Sequence, residues 1–136
     1  MASRPASRSS DLTPRVKVWV EAEGEYVFGH GLSEILLAVQ ETGNIKQAAA
    51  GLGKSYRHVW SRIKEAEAAL GISLVEARVG GATTRRSCLT PAAQELLADF
   101  VALRERMLAV VQEEFAKRFR TRVSPGAVRP TRRPNG

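Results

Sequence analysis

The chain has 136 residues, 43% hydrophobic, 26% charged and 6% aromatic, with 21 Lys and Arg against 14 Asp and Glu for a net charge of +7. That is apolar material for one compact core and not for two, and the charge balance points to a polyanionic partner. No apolar run approaches the roughly 18 to 20 residues of a spanning helix, the start of the chain holds no apolar centre of a secretory signal, and the sole cysteine, Cys88, excludes a disulfide framework or a zinc site built on several thiolates.

Residues 1–14 combine Ser3, Ser7, Ser9 and Ser10 with Arg4, Arg8, Pro5 and Pro14. Such a composition buries too little surface to offset chain entropy, and it reads as a disordered basic arm. Val16, Val18 and Val20 then alternate with Lys17, Trp19 and Glu21, and Glu23-Gly24 offers a tight turn before Tyr26-Val27-Phe28. This pattern predicts an opening hairpin. Leu32, Ile35, Leu36 and Val39 follow at helical spacing, with Gly43 placed for a left-handed cap. Asn44 and Gln47 form a capping arrangement that opens a short helix of Ala48, Ala49, Ala50 and Leu52, closed by Gly53. Ser55 caps a third helix, whose Val59, Ile63, Ala66 and Leu70 fall on one face opposite Arg57, His58, Ser61, Lys64 and Glu65.

After Gly71, two strands are expected around a basic tip, Gly80-Gly81-Ala82-Thr83-Thr84-Arg85-Arg86. Thr90-Pro91 is a strong helix start. From there Leu96, Phe100, Leu103, Met107, Val110, Val111 and Phe115 repeat at three- and four-residue steps toward Phe119. A helix over 91–119 spans roughly 43 Å, more than a core with a radius of gyration near 13 Å can cover. Its overhanging apolar face therefore needs a partner. Residues 120–136 carry Pro125, Pro130 and Pro134, five arginines and no acid, and read as a second disordered tail.

Helix, short helix, Gly-containing turn, helix and two strands with a basic tip is the order of a winged helix-turn-helix. The fold expected is mainly α with small β: a disordered arm over 1–14, a winged helix-turn-helix domain over 15–89 with an N-terminal hairpin, a long C-terminal dimerisation helix over 90–119, and the tail. Between Lys46 and Arg86 there are eight basic residues against three acids. Such a segment suits a duplex backbone.

Several stretches carry a family resemblance: Trp19-Val-Glu, Glu41-Thr-Gly-Asn-Ile-Lys-Gln-Ala-Ala, Ser55-Tyr56-Arg57-His58-Val59-Trp60, Leu74-Val-Glu with Gly80-Gly81, and Leu89-Thr-Pro-Ala. Together they resemble the DNA-binding domain of ModE-type, molybdenum-dependent regulators. Ser55 through Ile63, Glu67, Leu70, Gly71 and Leu74 also fit the related LysR-type pattern. The wing departs from the ModE-type pattern, with Ala82-Thr83-Thr84-Arg85-Arg86 where glycines are usual and Ala77-Arg78 where an Arg follows Leu-Val-Glu directly. Ala93 stands where both families have Gly, a change a helix tolerates. The molybdate-binding domain of the family would lie beyond the long helix, where 17 residues follow in this sequence. The resemblance thus implies a DNA-binding and dimerisation unit and does not carry molybdate binding over.

The expected function is sequence-specific binding of double-stranded DNA by a cytoplasmic, nucleoid-associated homodimer, with residues 55–70 in the major groove and the wing over 74–89 on the backbone. Arg57 is the candidate base reader, because a guanidinium pairs bidentately with guanine O6 and N7. His58 and Ser61 share its face. Lys46, Lys64, Arg85 and Arg86 are candidate phosphate contacts, which position without reading sequence; Gln47, Ser55, Tyr56, Arg62 and Arg78 complete the set. Trp60, at the border of the buried stripe, is expected in the core, and Cys88 is expected to be an inert strand residue. Two other readings stand beside this one: an interaction protein that pairs with a larger regulator through the long helix, and a nonspecific nucleic-acid binder driven by the basic tails.

Ala48-Ala-Ala-Gly-Leu-Gly53-Lys54-Ser55 loosely satisfies a phosphate-binding-loop pattern. A helix precedes it where that chemistry needs a strand, and no acid-bearing strand follows to help hold Mg²⁺. The paired acids Glu65 and Glu67, or Glu113 and Glu114, have no histidine or nucleophile placed to cooperate with them. No enzymatic activity, metal or cofactor is expected.

Overall fold

The structure, a computed structural model, describes residues 12–80 and 84–119. The arm before residue 12, the tail from residue 120 and the wing tip at 81–83 lie outside the described residues. In chain order the elements are β1 (Trp19–Ala22), β2 (Glu25–Gly29), α1 (His30–Thr42), α2 (Ile45–Gly51), α3 (Tyr56–Leu70), β3 (Val75–Gly80), β4 (Thr84–Leu89) and α4 (Pro91–Arg118). This is the winged helix-turn-helix architecture, with two separate antiparallel hairpins, β1-β2 and β3-β4. The described chain forms two compact units: residues 18–102, and residues 12–17 with 103–119.

The first hairpin is shorter than the valine alternation predicts. Trp19 pairs with Gly29, the last residue of β2, so Val16 and Val18 have no strand residue left to pair with. Its turn is a two-residue one with both φ angles positive, 52° at Glu23 and 81° at Gly24, the geometry that matches the twist of tight hairpins.

The three helices of the helix-turn-helix form where the caps place them. Gly43 ends α1 at φ 68°, and its N–H returns to the Val39 carbonyl. Asn44 Oδ1 accepts the Gln47 N–H at 3.0 Å, whereas the Asn44 N–H goes to Thr42 Oγ1, so only one half of a capping box is built. Gly53, at φ 68°, turns the chain after α2, and Ser55 Oγ accepts the His58 N–H at 3.0 Å to start α3. Leu32, Ile35, Leu36 and Val39 of α1 bury against Ala48 and Ala49 of α2 and Val59, Ile63 and Ala66 of α3. Two alanines on α2 keep that helix close to its neighbours.

Thr90 caps α4: its hydroxyl accepts the Ala93 N–H at 3.1 Å and donates to the Ser73 carbonyl at 2.7 Å. The first turns of α4 then enter the core, with Ala93 at 0%, Leu97 at 5% and Phe100 at 4% exposure. The Phe100 ring meets Phe28 of β2 at 5.0 Å between centroids. Phe100, expected on the dimerisation surface, is therefore a core residue, and Leu96 packs against the same core. A single apolar stripe on a long helix serves two neighbours in succession, and its periodicity does not mark the changeover.

In the unit of residues 12–17 and 103–119, Phe115 is also covered within the chain, at 8% exposure, and stacks on Phe119 at 4.5 Å. Leu103 is 43% exposed, while Met107, Val110 and Val111 are half-buried. Lys117 and Arg118 close α4 with ion pairs to Glu114, a charge placement that suits a helix C-terminus.

Candidate nucleic-acid interface

The candidate site is the solvent face of α3 with the wing beside it. At about 100° per residue, Arg57, Ser61 and Lys64 point along one line, His58 and Glu65 lie to one side, and Tyr56 and Trp60 to the other. Tyr56, Arg57, His58 and Lys64 are exposed, as are Lys46 and Gln47 at the start of α2 and the capping Ser55; Ser61 is half-buried. Arg57 makes no ion pair among the described residues, so its guanidinium donors face solvent.

Two residues of α3 stand differently from expectation. Arg62 is turned away from Arg57: it is half-buried, lies 5.3 Å over the Tyr26 ring of β2 and reaches Glu65 at 3.6 Å. Five residues of helix rotate it about 140° from Arg57, toward the first hairpin. Trp60, expected in the core, is 44% exposed. The buried arc of α3 is filled by Val59, Ile63 and Ala66, and Trp60 sits about 100° round from Val59, on the edge nearer the basic line. The Lys64 ammonium is held 5.7 Å from its ring centroid and 3.1 Å from Glu67.

Three joints fix the wing. Glu67 Oε2 accepts the backbone N–H groups of Leu74 at 2.8 Å and Val75 at 3.3 Å. The Ser87 N–H donates to the Gly43 carbonyl at 2.9 Å, and the Thr90 N–H to the Leu74 carbonyl at 3.0 Å. Burial works against the charge on Glu67, but the two backbone donors and the Lys64 ammonium prevail and hold its carboxyl below the ordinary carboxylate range. This joint was missed from the sequence, where Glu67 stood as a position of the LysR-type pattern and an acid on a helix face with no partner assigned; a contact seven residues along the chain leaves no periodic trace.

Arg85 and Arg86, expected at the tip, lie instead on β4, where Arg85 pairs with Val79 and Arg86 with Arg78 of β3. Arg78 is exposed and reaches Glu76 at 3.4 Å. The Arg86 guanidinium lies over Gly43, where an added Cβ would come within 2.6 Å of Nη2. Gly43 thus answers two demands, a left-handed backbone and room for Arg86. Arg85 is in β4, but its side chain is outside the described residues. Among the described residues no group of three metal-ligating side chains occurs, and no helix is long and apolar enough to cross a membrane.

Residues 32–94, from α1 into the start of α4, match the family described as bacterial regulatory helix-turn-helix proteins of the LysR family. That match takes in the helix-turn-helix and the wing, a little under half of the chain. The domain in a complex of the CbnR DNA-binding domain with DNA has a similar fold, with a TM-score of 0.52 and 26% identity over 64% of this chain and 94% of that one. Full-length CbnR complexed with its target DNA gives a TM-score of 0.51 and 27% identity over 63% of this chain and 28% of that one. Among characterised proteins, the molybdenum transport protein ModE of Herbaspirillum seropedicae is 29% identical over 114 residues, 84% of this chain. The molybdenum-pterin-binding protein MopB of Rhodobacter capsulatus is 32% identical over 83 residues, 61% of this chain. The chain spans 40% of the length of the first and 30% of the second. The matched residues take in most of α1, all of α2 and α3, and the wing, and with them the position of every candidate DNA contact named above.

Proposed function

We propose that this chain is a transcription regulator that binds duplex DNA as a homodimer, with the N-terminal half of α3 in the major groove and the wing on the flanking backbone. The observation that carries the proposal is Arg57: an arginine on the first turn of α3, exposed and without an ion pair among the described residues, inside the stretch that matches the LysR family. An arginine there has its donors available for guanine O6 and N7. The match to the CbnR DNA-binding domain, a domain solved with DNA bound, supports the same reading.

Dimerisation is assigned to α4 beyond the core, through Leu103, Met107, Val110 and Val111. Two-fold pairing would place two recognition helices about 34 to 36 Å apart, or a multiple of that, and so calls for an inverted-repeat site. The test is equilibrium selection from a random duplex pool by the full chain at near-physiological salt. Enrichment of a two-fold symmetric sequence is expected. Binding that is sequence-independent and salt-sensitive throughout would instead favour a nonspecific nucleic-acid binder.

A further inference from the structure

Trp60 is out of place as a structural residue. It is a large apolar side chain, 44% exposed, on a helix whose buried arc is already filled by Val59, Ile63 and Ala66. One turn earlier, Tyr56 is 51% exposed on the same edge. Together they make an apolar strip alongside the line of Arg57, Ser61 and Lys64. The strip is bounded by a cation, since the Lys64 ammonium lies 5.7 Å from the Trp60 ring centroid. Glu67 holds that ammonium at 3.1 Å.

We infer that Trp60 reads thymine, its ring packing on the 5-methyl group in the major groove next to the base pair that Arg57 reads. This rests on the proposal that α3 lies in the major groove. The major groove presents one apolar group, the thymine methyl, and side chains that read it do so by apolar contact. A half-exposed indole on the groove-facing side of α3 supplies that surface, and the neighbouring ammonium matches the phosphate charge around it. Trp60 is partly covered within the chain, so its side chain has less conformational freedom to lose on contact than a fully exposed one. Duplex DNA is the occupant assigned here because the strip is continuous with the basic line of the same helix and lies inside the stretch that matches the LysR family.

The experiment uses the full-length protein and the duplex enriched by selection. Each thymine of the half-site is replaced in turn by uracil, which removes only the methyl group. Wild-type protein is expected to lose about fourfold in affinity at one thymine per half-site, the value of about one buried methyl-sized group. Trp60→Ala is expected to bind thymine and uracil duplexes equally, and Trp60→Phe to restore part of the preference. Equal affinity of wild-type protein for every uracil duplex, or a thymine preference that survives in Trp60→Ala, overturns the inference while leaving DNA recognition intact. Failure to enrich any sequence overturns both this inference and the proposal beneath it.

Discussion

The Glu67 carboxylate of α3 accepts the Leu74 backbone N–H at 2.8 Å, so the candidate recognition helix and the wing meet at one charged joint. Leu74 is fully buried, and Val75 beside it donates to the same oxygen at 3.3 Å. Removing the carboxylate therefore orphans a backbone donor at the root of β3. Glu67→Ala is expected to cost about 1 to 3 kcal/mol of unfolding free energy, the penalty for an unsatisfied buried group, read by urea denaturation. A loss within about 0.3 kcal/mol of zero would mean that water takes over the joint.

The same joint gives a pH dependence of known sign. The Glu67 pKa in the folded chain is lowered from 4.5, so the folded state holds its proton less tightly than the unfolded state does. The resulting stabilisation is complete above the unfolded value and is lost as pH falls through the folded one. The stability difference between wild type and Glu67→Gln should be constant above about pH 6 and should shrink as pH falls below 4.5. Denaturation series at several pH values measure this, and a difference that grows on acidification would contradict it.

The wing arginines are expected to act through charge. Arg78 and Arg86 are register partners across the β3-β4 ladder, which places two basic residues side by side on the wing. Replacing Arg85 and Arg86 together by Ala should lower the slope of log affinity against log salt by roughly one to two units, since each phosphate contact contributes about 0.9. Sequence preference should persist. An unchanged slope would place the wing off the DNA.

Residues on one stripe of α4 are expected to separate into two classes. Phe100→Ala removes a ring packed on Phe28 and should cost about 3 to 5 kcal/mol of folding stability. Leu103, three residues on and 43% exposed, should behave differently: Leu103→Asp should weaken self-association in sedimentation equilibrium and leave unfolding of the core little changed. If Leu103→Asp destabilises the chain without shifting its oligomeric state, the homodimer surface assigned to α4 is wrong.

The sequence made the framework legible because local chemistry decides it. The apolar spacing of Leu32, Ile35, Leu36 and Val39, the Asn44 and Ser55 caps, and Thr90-Pro91 all act within a turn or two of themselves. What was illegible depends on neighbours distant in sequence. Whether Trp60 is buried turns on how wide an arc of α3 the core covers, and helical spacing gives the direction of a side chain but not that width. Phe100 belongs to the core because Phe28 stands opposite it, which no spacing along α4 records. Arg62 lies about 140° round the helix from Arg57, which the spacing does record; what it does not record is the Tyr26 ring that Arg62 covers.

The central claim is that the solvent face of α3 reads base sequence, and repeating the selection with Arg57→Ala beside wild type tests it most directly. Affinity for the wild-type site should fall by about 1 to 3 kcal/mol, and preference should flatten at one base pair in each half-site while the other positions keep theirs. An enriched sequence identical to that of the wild type would remove Arg57 as a reader and, with it, the assignment of this face to the major groove.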